Sequence, residues 1–481
     1  MPRDAHVLEL PGGAASLAAF APSRAVVAVS AQLASVAAAL VYANRTLAGD
    51  VYFLLASGRH IAEEGLTGRS PFRTLAEGKV WHNQQWLAEW LFYRVHELGG
   101  MSLLSVLYAL LLASALVPLA WLCRERAPLL LAAAWAVSLG GLVAVLDPRA
   151  AGFSIVLFAA VVGIIIAARR RPVALIALPV VFALWANLHG AFPAGLLLVG
   201  LAGAAGALGL GPGSLPRLRA RSALPFAGAL GVSALALLAT PLGPHIVDYL
   251  RAYDEHVAPN RLPFEWQASY LHPPVLALVA AFAALAAWLW RNAPRPRRPE
   301  ALIVAVGFTA LALTATRQVV WLGPLSFYLV HSLGPDRTWG PKPSIVVPLG
   351  AAGVLLLTGW AALLGPTRPG PPQAAAAARH AMAHPPARGR LLVPSGTGSY
   401  VIWRDRHRPI TIDGRLELYS AREVIANYRL LNGEGGFAYL RRWRIGGVVT
   451  RHPQGARVLQ RHGFRVAARR AGAWYLVKGR R

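Results

Sequence analysis

Residues 150–211 read AAGFSIVLFAAVVGIIIAARRRPVALIALPVVFALWANLHGAFPAGLLLVGLAGAAGALGLG, and this stretch decides the fold of the chain. Its three apolar runs each approach the ~20 residues that a helix needs to cross a bilayer. The interruptions between them are the basic triplet Arg169–Arg171 and the polar segment Asn187–Gly190. Because cytoplasmic loops are enriched in Lys and Arg, the first turn is predicted to face the cytoplasm and the second to face outside.

The whole chain has the composition of a membrane protein. Its 481 residues are 56% hydrophobic and only 14% charged, and the mean hydropathy is +0.46, whereas soluble domains average about 25% charged residues. These values exclude a soluble enzyme, a disordered chain and a fibrous repeat. They indicate a polytopic membrane protein with an appended soluble part. The single cysteine, Cys123, excludes an internal disulfide and a cysteine-based metal cluster.

Hydropathy predicts an α-helical polytopic membrane protein with about eleven transmembrane helices. The apolar runs lie near residues 25–43, 101–122, 129–146, 150–168, 172–187, 191–211, 222–241, 274–290, 301–316, 319–334 and 345–365. Alternate loops carry the arginines, so the N-terminus is expected in the cytoplasm and the C-terminus outside. The first run lacks the compact basic start and cleavage site of a signal peptide, and we expect it to be an uncleaved anchor.

Breaks in the hydrophobic rhythm predict the domain organisation. A transmembrane domain is expected over residues 1–365, with a long first outer loop at 44–100 and a second outer loop at 242–273. A linker rich in Pro and Ala at 366–388 follows. The tail at 389–481 alternates short β-like and helical runs, which predicts a small, basic, soluble α/β domain.

Local patterns predict elements inside these soluble segments. In the first outer loop, residues 50–64 and 83–97 have helical spacing of apolar residues and are expected to lie at the membrane interface. In the tail, helices are predicted at 421–431 and 455–462, and strands at 390–394, 400–403, 410–412, 446–450 and 474–477. Gly396-Thr397-Gly398 is interpreted as a turn before the strand at Tyr400, in preference to a phosphate-binding loop.

Ionisable and amide side chains recur at the outer ends of the predicted spans, where such residues are costly and usually functional. They are Asp50, Asp147, Arg149, Asn187, His189 and Arg317. Arginine recognises phosphate through a planar, bidentate contact, and Asp or His can act as a general base. Because these groups fall at similar depth on one side, we expect an outward-facing site for an anionic lipid head group and a hydroxyl acceptor.

Each candidate also has a structural interpretation. Asp50 could cap a helix, the polar residues after the fifth span could cap a turn, and Arg149 and Arg317 could be anchors that snorkel to the interface. The tryptophans of the first outer loop could form an aromatic belt. In the tail, Asp413–Arg415 is either a turn held by an Asp–Arg pair or part of an acceptor site.

Several segments resemble those of a group of bacterial polytopic proteins. In the first outer loop the matching residues are Asp50, Gly58, Ile61, Gly65, Pro71, Phe72, Gly78, Trp81, Trp86, Leu87, Glu89, Gly99 and Gly100. Leu184–Gly190 is similar to a Trp-x-Asn-x-His-Gly signature of the group, and further matches lie at Pro241–Gly243, Glu265–Trp266, Gly398–Trp403 and Asp413–Tyr419. The group resembles the GT-C class of membrane glycosyltransferases, whose relatives by architecture include protein O-mannosyltransferases and aminoarabinose lipid A transferases.

The resemblance implies sugar transfer on the outer face of the bacterial inner (cytoplasmic) membrane. The implied donor is a polyprenyl-phosphate-linked sugar, and the acceptor is a lipid, a glycan or a protein. In this class an acidic residue of the first outer loop activates the acceptor or holds a metal, and Asp50 occupies that position as the candidate catalytic residue. The implied chemistry is a direct displacement with inversion. The candidate ligands of the lipid phosphate are Arg149, His189 and Arg317; His189 has the signature as well as its position.

The chain departs from the mannosyltransferase-like pattern at one position. Those members carry an acidic doublet in the first outer loop, whereas Asp50 is followed here by Val51. The departure leaves the acceptor chemistry and the need for a divalent metal open, and no certain cofactor is predicted. Candidates for a second carboxylate or an acceptor contact are Glu63, Glu64, His82 and Glu89.

Two other functions remain open. One is a non-catalytic GT-C-like subunit for binding or assembly of envelope polysaccharide; the other is a transporter or polysaccharide polymerase-ligase, which the lack of two pseudo-symmetric halves disfavours. Residues 366–481 hold 22 Lys and Arg against 5 Asp and Glu. This charge predicts an anionic lipid or glycan partner, and no nucleic acid, because the location is outside and no binding motif is present.

Overall fold

The structure is a computed structural model, and it describes residues 50–142, 148–207, 216–256, 264–294, 298–335 and 374–479. The predicted spans at 25–43 and 345–365, Asp147 and the first part of the linker lie outside these described residues.

The helices before the tail follow the predicted apolar runs closely. In chain order they are α1 (Asp50–Glu64), α2 (Trp86–Leu122), α3 (Pro128–Leu142), α4 (Ala151–Ala168), α5 (Leu178–Leu188), α6 (Phe192–Ala207), α7 (Pro216–Ala236), α8 (Ile246–His256), α9 (Pro273–Asn292), α10 (Pro299–Thr314) and α11 (Leu322–Leu333). Among the described residues, α2, α4 and α9 are long and apolar enough to cross a membrane. The total of eleven spans stays a prediction.

The helix bundle is apolar on its inside and on its outside. Inside, the ring of Phe158 packs against Phe308 and Trp321, with centroids 5.4 and 4.8 Å apart. Outside, Leu129 and Val180 are 70% and 72% exposed. Exposed apolar side chains on this scale are unfavourable in water but are solvated by lipid chains, so the bundle has the surface of a membrane protein.

Glycines determine how α1 packs on α2. A Cβ at Gly58 would lie 2.1 Å from the carbonyl oxygen of Glu89, so the two backbones are in direct contact there. Further along α2, Gly99 and Gly100 leave the helical conformation, and Gly100 has a φ of +63°, which favours glycine. The kink divides α2 into an N-terminal part, which packs on α1, and a longer apolar C-terminal part. The helical structure predicted for residues 50–64 and 83–97 is confirmed, the second stretch as the first part of α2. Their position at the membrane interface stays a prediction.

The tail contains a mixed sheet and the helices that pack on it. The elements are α12 (Ala375–Ala383), β1 (Arg390–Leu392), α13 (Ser395–Arg404), α14 (Ala421–Asn432), α15 (Ala438–Arg442), β2 (Ile445–Thr450), α16 (Pro453–Arg461), β3 (Phe464–Arg470) and β4 (Ala473–Lys478). The strand order is β1-β2-β4-β3. β1 runs parallel to β2, and β4 is antiparallel to both β2 and β3. The alternation of helix and strand agrees with the pattern predicted for this segment.

Three local predictions in the tail were wrong. Residues 410–412, predicted as a strand, contain only an isolated β-bridge between Ile410 and Leu391. Residues 400–403, predicted as a strand, lie in helix α13, and residues 396–398 form the first turns of that helix instead of a turn before a strand. The apolar side of α13 packs on α1, where the rings of Tyr400 and Tyr52 meet edge to face at 5.1 Å. A short apolar run between turn residues fits a helix or a strand equally well, and here tertiary packing decided.

The tail is hydrogen-bonded to the first outer loop through backbone groups. The N–H of Leu75 donates to the carbonyl of Thr411, and the N–H of Ile410 donates to the carbonyl of Arg73, both at 2.9 Å. The guanidinium of Arg390 also donates to the carbonyl of Arg73, at 3.3 Å. Because backbone groups pair only when the two segments lie side by side, the tail and the first outer loop are one packed unit.

A buried ion pair stands at the centre of this contact. Arg415 and Asp413 are both fully buried, and the guanidinium donates to both carboxylate oxygens at 2.6 to 3.2 Å. The guanidinium lies between the rings of Phe72 and Trp81, 4.7 and 4.6 Å from their centroids. The interpretation of Asp413–Arg415 as a turn held by an ion pair is confirmed. Trp81 is buried in the tail contact and does not belong to an aromatic belt.

We expect Arg415→Met to loosen the tail from the first outer loop, because it leaves the buried charge of Asp413 without its partner. Loss of one partner of a buried pair costs about 3–5 kcal/mol. The measurement is the thermal unfolding temperature in detergent, together with the rate of tail proteolysis. Arg422→Met, at an exposed position of the same tail, is the control. Equal unfolding temperatures for the two variants would contradict this role of Arg415.

Candidate active site at the outer ends of the helices

Arg149 joins three segments that are far apart in the sequence. Its guanidinium lies 3.5 Å from a carboxylate oxygen of Asp50 and 3.1 Å from one of Glu265. Asp50 is the first described residue of α1, Arg149 precedes α4, and Glu265 lies in a short 3-10 helix of the second outer loop. The side chain of Arg149 is only 18% exposed, so this charge network is largely enclosed by protein.

Arg317 lies beside this network through the residue next to Glu265. Its guanidinium stacks on the ring of Trp266, 4.2 Å from the centroid, in the geometry of a cation–π contact. The N–H of Thr316 donates to the carbonyl of Gln267 at 2.9 Å. The dipeptide Glu265–Trp266 therefore contacts both predicted phosphate-binding arginines, one through a carboxylate and one through a ring.

His189 lies in the turn after α5 and is hydrogen-bonded to α4. Its Nδ1 is 2.8 Å from Oγ of Ser154, and the indole N–H of Trp185 donates to the same Oγ at 2.7 Å. Because Oγ already accepts from Trp185, its own hydrogen is available to Nδ1, which favours the tautomer with the proton on Nε2. Burial, and then the charges of Arg317 and Arg149, lower the pKa of His189 to about 3. The imidazole is therefore neutral at physiological pH.

The rest of the Trp-x-Asn-x-His-Gly segment connects both outer loops to the bundle. The indole N–H of Trp86 donates to Oδ1 of Asn187 at 2.8 Å, and Nδ2 of Asn187 donates to the carbonyl of Ala239 at 2.8 Å. A Cβ at Gly190 would lie 2.2 Å from the hydroxyl of Tyr249 in α8. The segment therefore caps the turn between two helices, which is the structural role considered for it above. It also contacts the first outer loop through Trp86 and the second outer loop through Tyr249.

The other candidates are engaged elsewhere. A carboxylate oxygen of Glu64 lies 2.6 Å from the guanidinium of Arg406 in the tail; Glu63 pairs with the same arginine. Glu89 is fully buried and accepts a hydrogen bond from Asn83. His82 stacks on a histidine of the second outer loop, with ring centroids 5.9 Å apart. Among the described residues, Glu265 is a second carboxylate that lies near Asp50, on the other side of the Arg149 guanidinium.

The sequence contained a signal for Glu265 but none for Ser154. The pair Glu265–Trp266 matched the group resemblance, yet its distance of 116 positions from Arg149 gave no reason to place the two together. Ser154 is one hydroxyl in an apolar run, and small polar residues are common there. Its importance follows from the two hydrogen bonds that converge on its Oγ.

The purely structural roles considered for Asp50, Arg149 and Arg317, a helix cap and two interfacial anchors, describe their contacts only in part. Asp50 stands in the first turn of α1, where the helix dipole favours a carboxylate, and it also faces Arg149. Arg149 and Arg317 contact protein groups, which a side chain that only snorkels to lipid would not do.

A divalent metal has no evident set of ligands in the described part of the chain. Among residues 50–142, 148–207, 216–256, 264–294, 298–335 and 374–479, no group of three or more His, Cys, Asp or Glu side chains could hold a metal ion. Asp50 and Glu265 both face the Arg149 guanidinium. Two carboxylates that share one guanidinium fit a charge-paired network, and these residues do not fit a metal centre.

Solved structures with a similar fold are those of glycosyltransferases. The chain matches the arabinofuranosyltransferase AftD from Mycobacteria at a TM-score of 0.51 and 16% identity, over 96% of this chain and 40% of that chain. A mutant of AftD matches at a TM-score of 0.55 and 17% identity, over 96% of this chain and 42% of that chain. The chain also matches the archaeal oligosaccharyltransferase AglB from Archaeoglobus fulgidus, solved in complex with an inhibitory peptide and a dolichol-phosphate. This match has a TM-score of 0.56 and 12% identity, over 89% of this chain and 69% of that chain.

The chain has the GT-C fold. It spans about two fifths of the length of AftD, and at these identities the likeness shows the fold alone. No protein-family model matches the chain, and no curated protein matches it either. In this chain the first outer loop lies between the bundle and the tail and carries Asp50.

We expect Gly190→Ala to displace Tyr249 and with it the second outer loop, since the added Cβ would overlap the Tyr249 ring. Overpacking of this kind costs about 1–3 kcal/mol, so the thermal unfolding temperature should fall by several degrees. Gly200→Ala is the matched control, because the nearest atom to its new Cβ would be 4.0 Å away. The same unfolding temperature for both variants would show that the contact with Tyr249 is not tight.

Proposed function

We propose that this chain is a membrane glycosyltransferase that moves a sugar from a polyprenyl-phosphate donor to an envelope lipid, glycan or protein acceptor on the outer face of the inner membrane. The observation that carries the proposal is the network of Asp50, Arg149 and Glu265, with Arg317 and His189 beside it. The network joins a candidate base to candidate phosphate ligands at one end of a GT-C bundle. The dolichol-phosphate in the AglB structure supports a lipid phosphate as the donor type.

In the proposed reaction the acceptor hydroxyl oxygen attacks the anomeric carbon of the sugar. The bond between that carbon and the phosphate oxygen breaks, and the lipid phosphate leaves with the electron pair. Asp50 takes the proton of the attacking hydroxyl as a general base. A single displacement inverts the anomeric carbon, and one carboxylate suffices because the phosphate is a good leaving group.

The pairing of Arg149 with two carboxylates gives the proposed reaction an order. Among the described residues, the formal charges of Asp50 and Glu265 balance those of Arg149 and Arg317. When the donor phosphate binds Arg149, it competes with Asp50 for the same guanidinium and frees the Asp50 carboxylate to accept a proton. In this proposal, binding of the donor therefore activates the base, which limits proton abstraction to the loaded enzyme.

Arg317 and His189 have different tasks in the proposed site. Arg317 supplies the second positive charge to the phosphate, and its stacking on Trp266 fixes the plane of the guanidinium. His189 is neutral, so it contributes a hydrogen bond from Nε2–H and no charge. The bond from Ser154 orients the ring for that donation.

A non-catalytic GT-C-like subunit for envelope polysaccharide binding or assembly is the second candidate. It is favoured by the pairing of Asp50 with Arg149, since an ion pair between the first outer loop and α4 can be purely structural. In that case the network holds the outer loops together, and Asp50 has no reacting partner.

Replacing Asp50 by Asn separates the two candidates. We expect a deletion strain complemented with Asp50→Asn to lack one sugar modification that the wild-type gene restores, because an amide cannot accept the hydroxyl proton at neutral pH. The measurement is mass spectrometry of envelope glycans and glycolipids at matched protein level. Glu64→Gln is the control, because Glu64 pairs with Arg406 in the tail, and it should restore the modification.

Full restoration by Asp50→Asn would overturn catalysis through Asp50 and would favour the non-catalytic subunit. The modification that disappears in the deletion strain identifies the acceptor.

The low pKa of His189 predicts donor binding that does not depend on its titration. Since the pKa is lowered to about 3, the imidazole is neutral at both ends of the range from pH 5 to pH 8. The affinity for a polyprenyl phosphodiester, measured in nanodiscs, should therefore be constant within about twofold over this range. A tenfold rise in affinity towards pH 5 that disappears in His189→Gln would show instead that the ring is charged.

A further inference from the structure

The tail divides into two parts of different charge. All five Asp and Glu residues after position 366 occur before residue 435. In that first part, charges are paired with the first outer loop: Arg406 with Glu63 and Glu64, and Glu423 with Lys79. The acids and bases of this part therefore help to hold the tail in place.

The second part of the tail has bases only. Residues 441–478 contain nine Arg and one Lys and no Asp or Glu, and all ten bases are exposed. Within the part of the chain that the structure describes, none of the ten forms an ion pair with a carboxylate. So many unpaired like charges repel one another and weaken the fold, unless a partner of opposite charge compensates them.

Five of these bases lie on two neighbouring elements, α16 and β3, at one edge of the sheet, and we call these five the basic face. Helix α16 carries Arg457 and Arg461, and β3 follows it directly with Arg465, Arg469 and Arg470. β3 is an edge strand of the sheet, so the backbone groups on its outer side do not pair with a neighbouring strand of this sheet, and its three arginines are exposed. An extended polymer can lie along such an edge.

The basic face lies away from the contact with the membrane part. The hydrogen bonds and ion pairs that join the tail to the first outer loop come from residues 390–423. β1, which carries Arg390, is at one edge of the sheet and β3 is at the other, so the basic face lies at the edge opposite this contact. Electrostatic attraction to lipid head groups falls off within about 8–10 Å in physiological salt. The position therefore favours a polyanion in the space outside the membrane over the lipid surface.

We propose that the basic face binds an acidic polysaccharide, and that this polysaccharide is the acceptor of the proposed reaction. The predominance of Arg fits this partner, because the planar guanidinium binds a carboxylate or a phosphate through two parallel hydrogen bonds. The acceptor role rests on the proposed function, whereas the binding of the polysaccharide does not. Regularly spaced anionic groups along a glycan would meet several arginines at once and bind with avidity.

The test is binding of polygalacturonate to the full chain in phosphatidylcholine nanodiscs. We expect the polymer to bind and its affinity to fall as NaCl is raised from 50 to 300 mM, with no binding of neutral dextran of equal length. The variant Arg457→Gln/Arg461→Gln/Arg465→Gln should weaken binding at least tenfold. These three side chains are exposed, so the fold and the unfolding temperature should be retained.

A second triple variant controls for net charge. Arg94→Gln/Arg422→Gln/Arg429→Gln also removes three exposed positive charges, but outside the basic face, and it should bind polygalacturonate within twofold of wild type. Equal weakening by the two triple variants would overturn the proposal, because binding would then follow net charge alone. Failure of the wild type to bind the polymer would overturn it as well.

Two further arms separate the alternatives. Capture of phosphatidylglycerol vesicles through the basic face, without polygalacturonate binding, would overturn the proposal and assign the face to lipid. Asp50→Asn should bind polygalacturonate like wild type, because Asp50 is not part of the face. Normal binding together with intact sugar transfer in Asp50→Asn would overturn the proposed function and leave the polysaccharide site standing.

Discussion

The outer site depends on a single guanidinium held between two carboxylates. Arg149 precedes α4, Asp50 begins α1 and Glu265 belongs to the second outer loop, so one side chain fixes three segments that the sequence separates widely. Such a network is stable only if each segment is held independently, since a partly buried charge without its partner is costly. The contacts of Gly58 with α2 and of Gly190 with Tyr249 provide that support.

The tail is part of this support as much as it is a soluble appendage. Helix α13 packs on α1, so the helix that begins with Asp50 lies between the bundle and the tail. The buried pair of Arg415 and Asp413 fastens the next segment of the tail to the first outer loop. The tail therefore has two surfaces with different physical tasks: a buried one that holds the site in place and an exposed basic one that is free for a partner.

Helix positions were predicted correctly from the sequence where the spacing of apolar residues along the chain is enough to determine them. The bounds of α1 and α4 agree with the predicted runs because apolar spacing and chain composition govern such helices directly. Prediction failed at residues 400–403, where a short apolar run was assigned to a strand, because packing on α1 selected a helix. Glu265 was missed as a site residue because nothing local shows that two positions 116 residues apart face one another.

The amino-acid sequence was enough to indicate the membrane class, the helical runs and the excess of positive charge in the tail, and to predict an outward position for Asp50, Arg149, His189 and Arg317. Each of these follows from composition or from short-range periodicity, which are properties of the chain before it folds. Only the tertiary structure decided which carboxylates share Arg149, that His189 is neutral, that Glu64 and Glu89 are engaged elsewhere, and which bases of the tail stay unpaired. Those properties depend on distances and burial between remote segments, and these exist only after the loops have packed on one another.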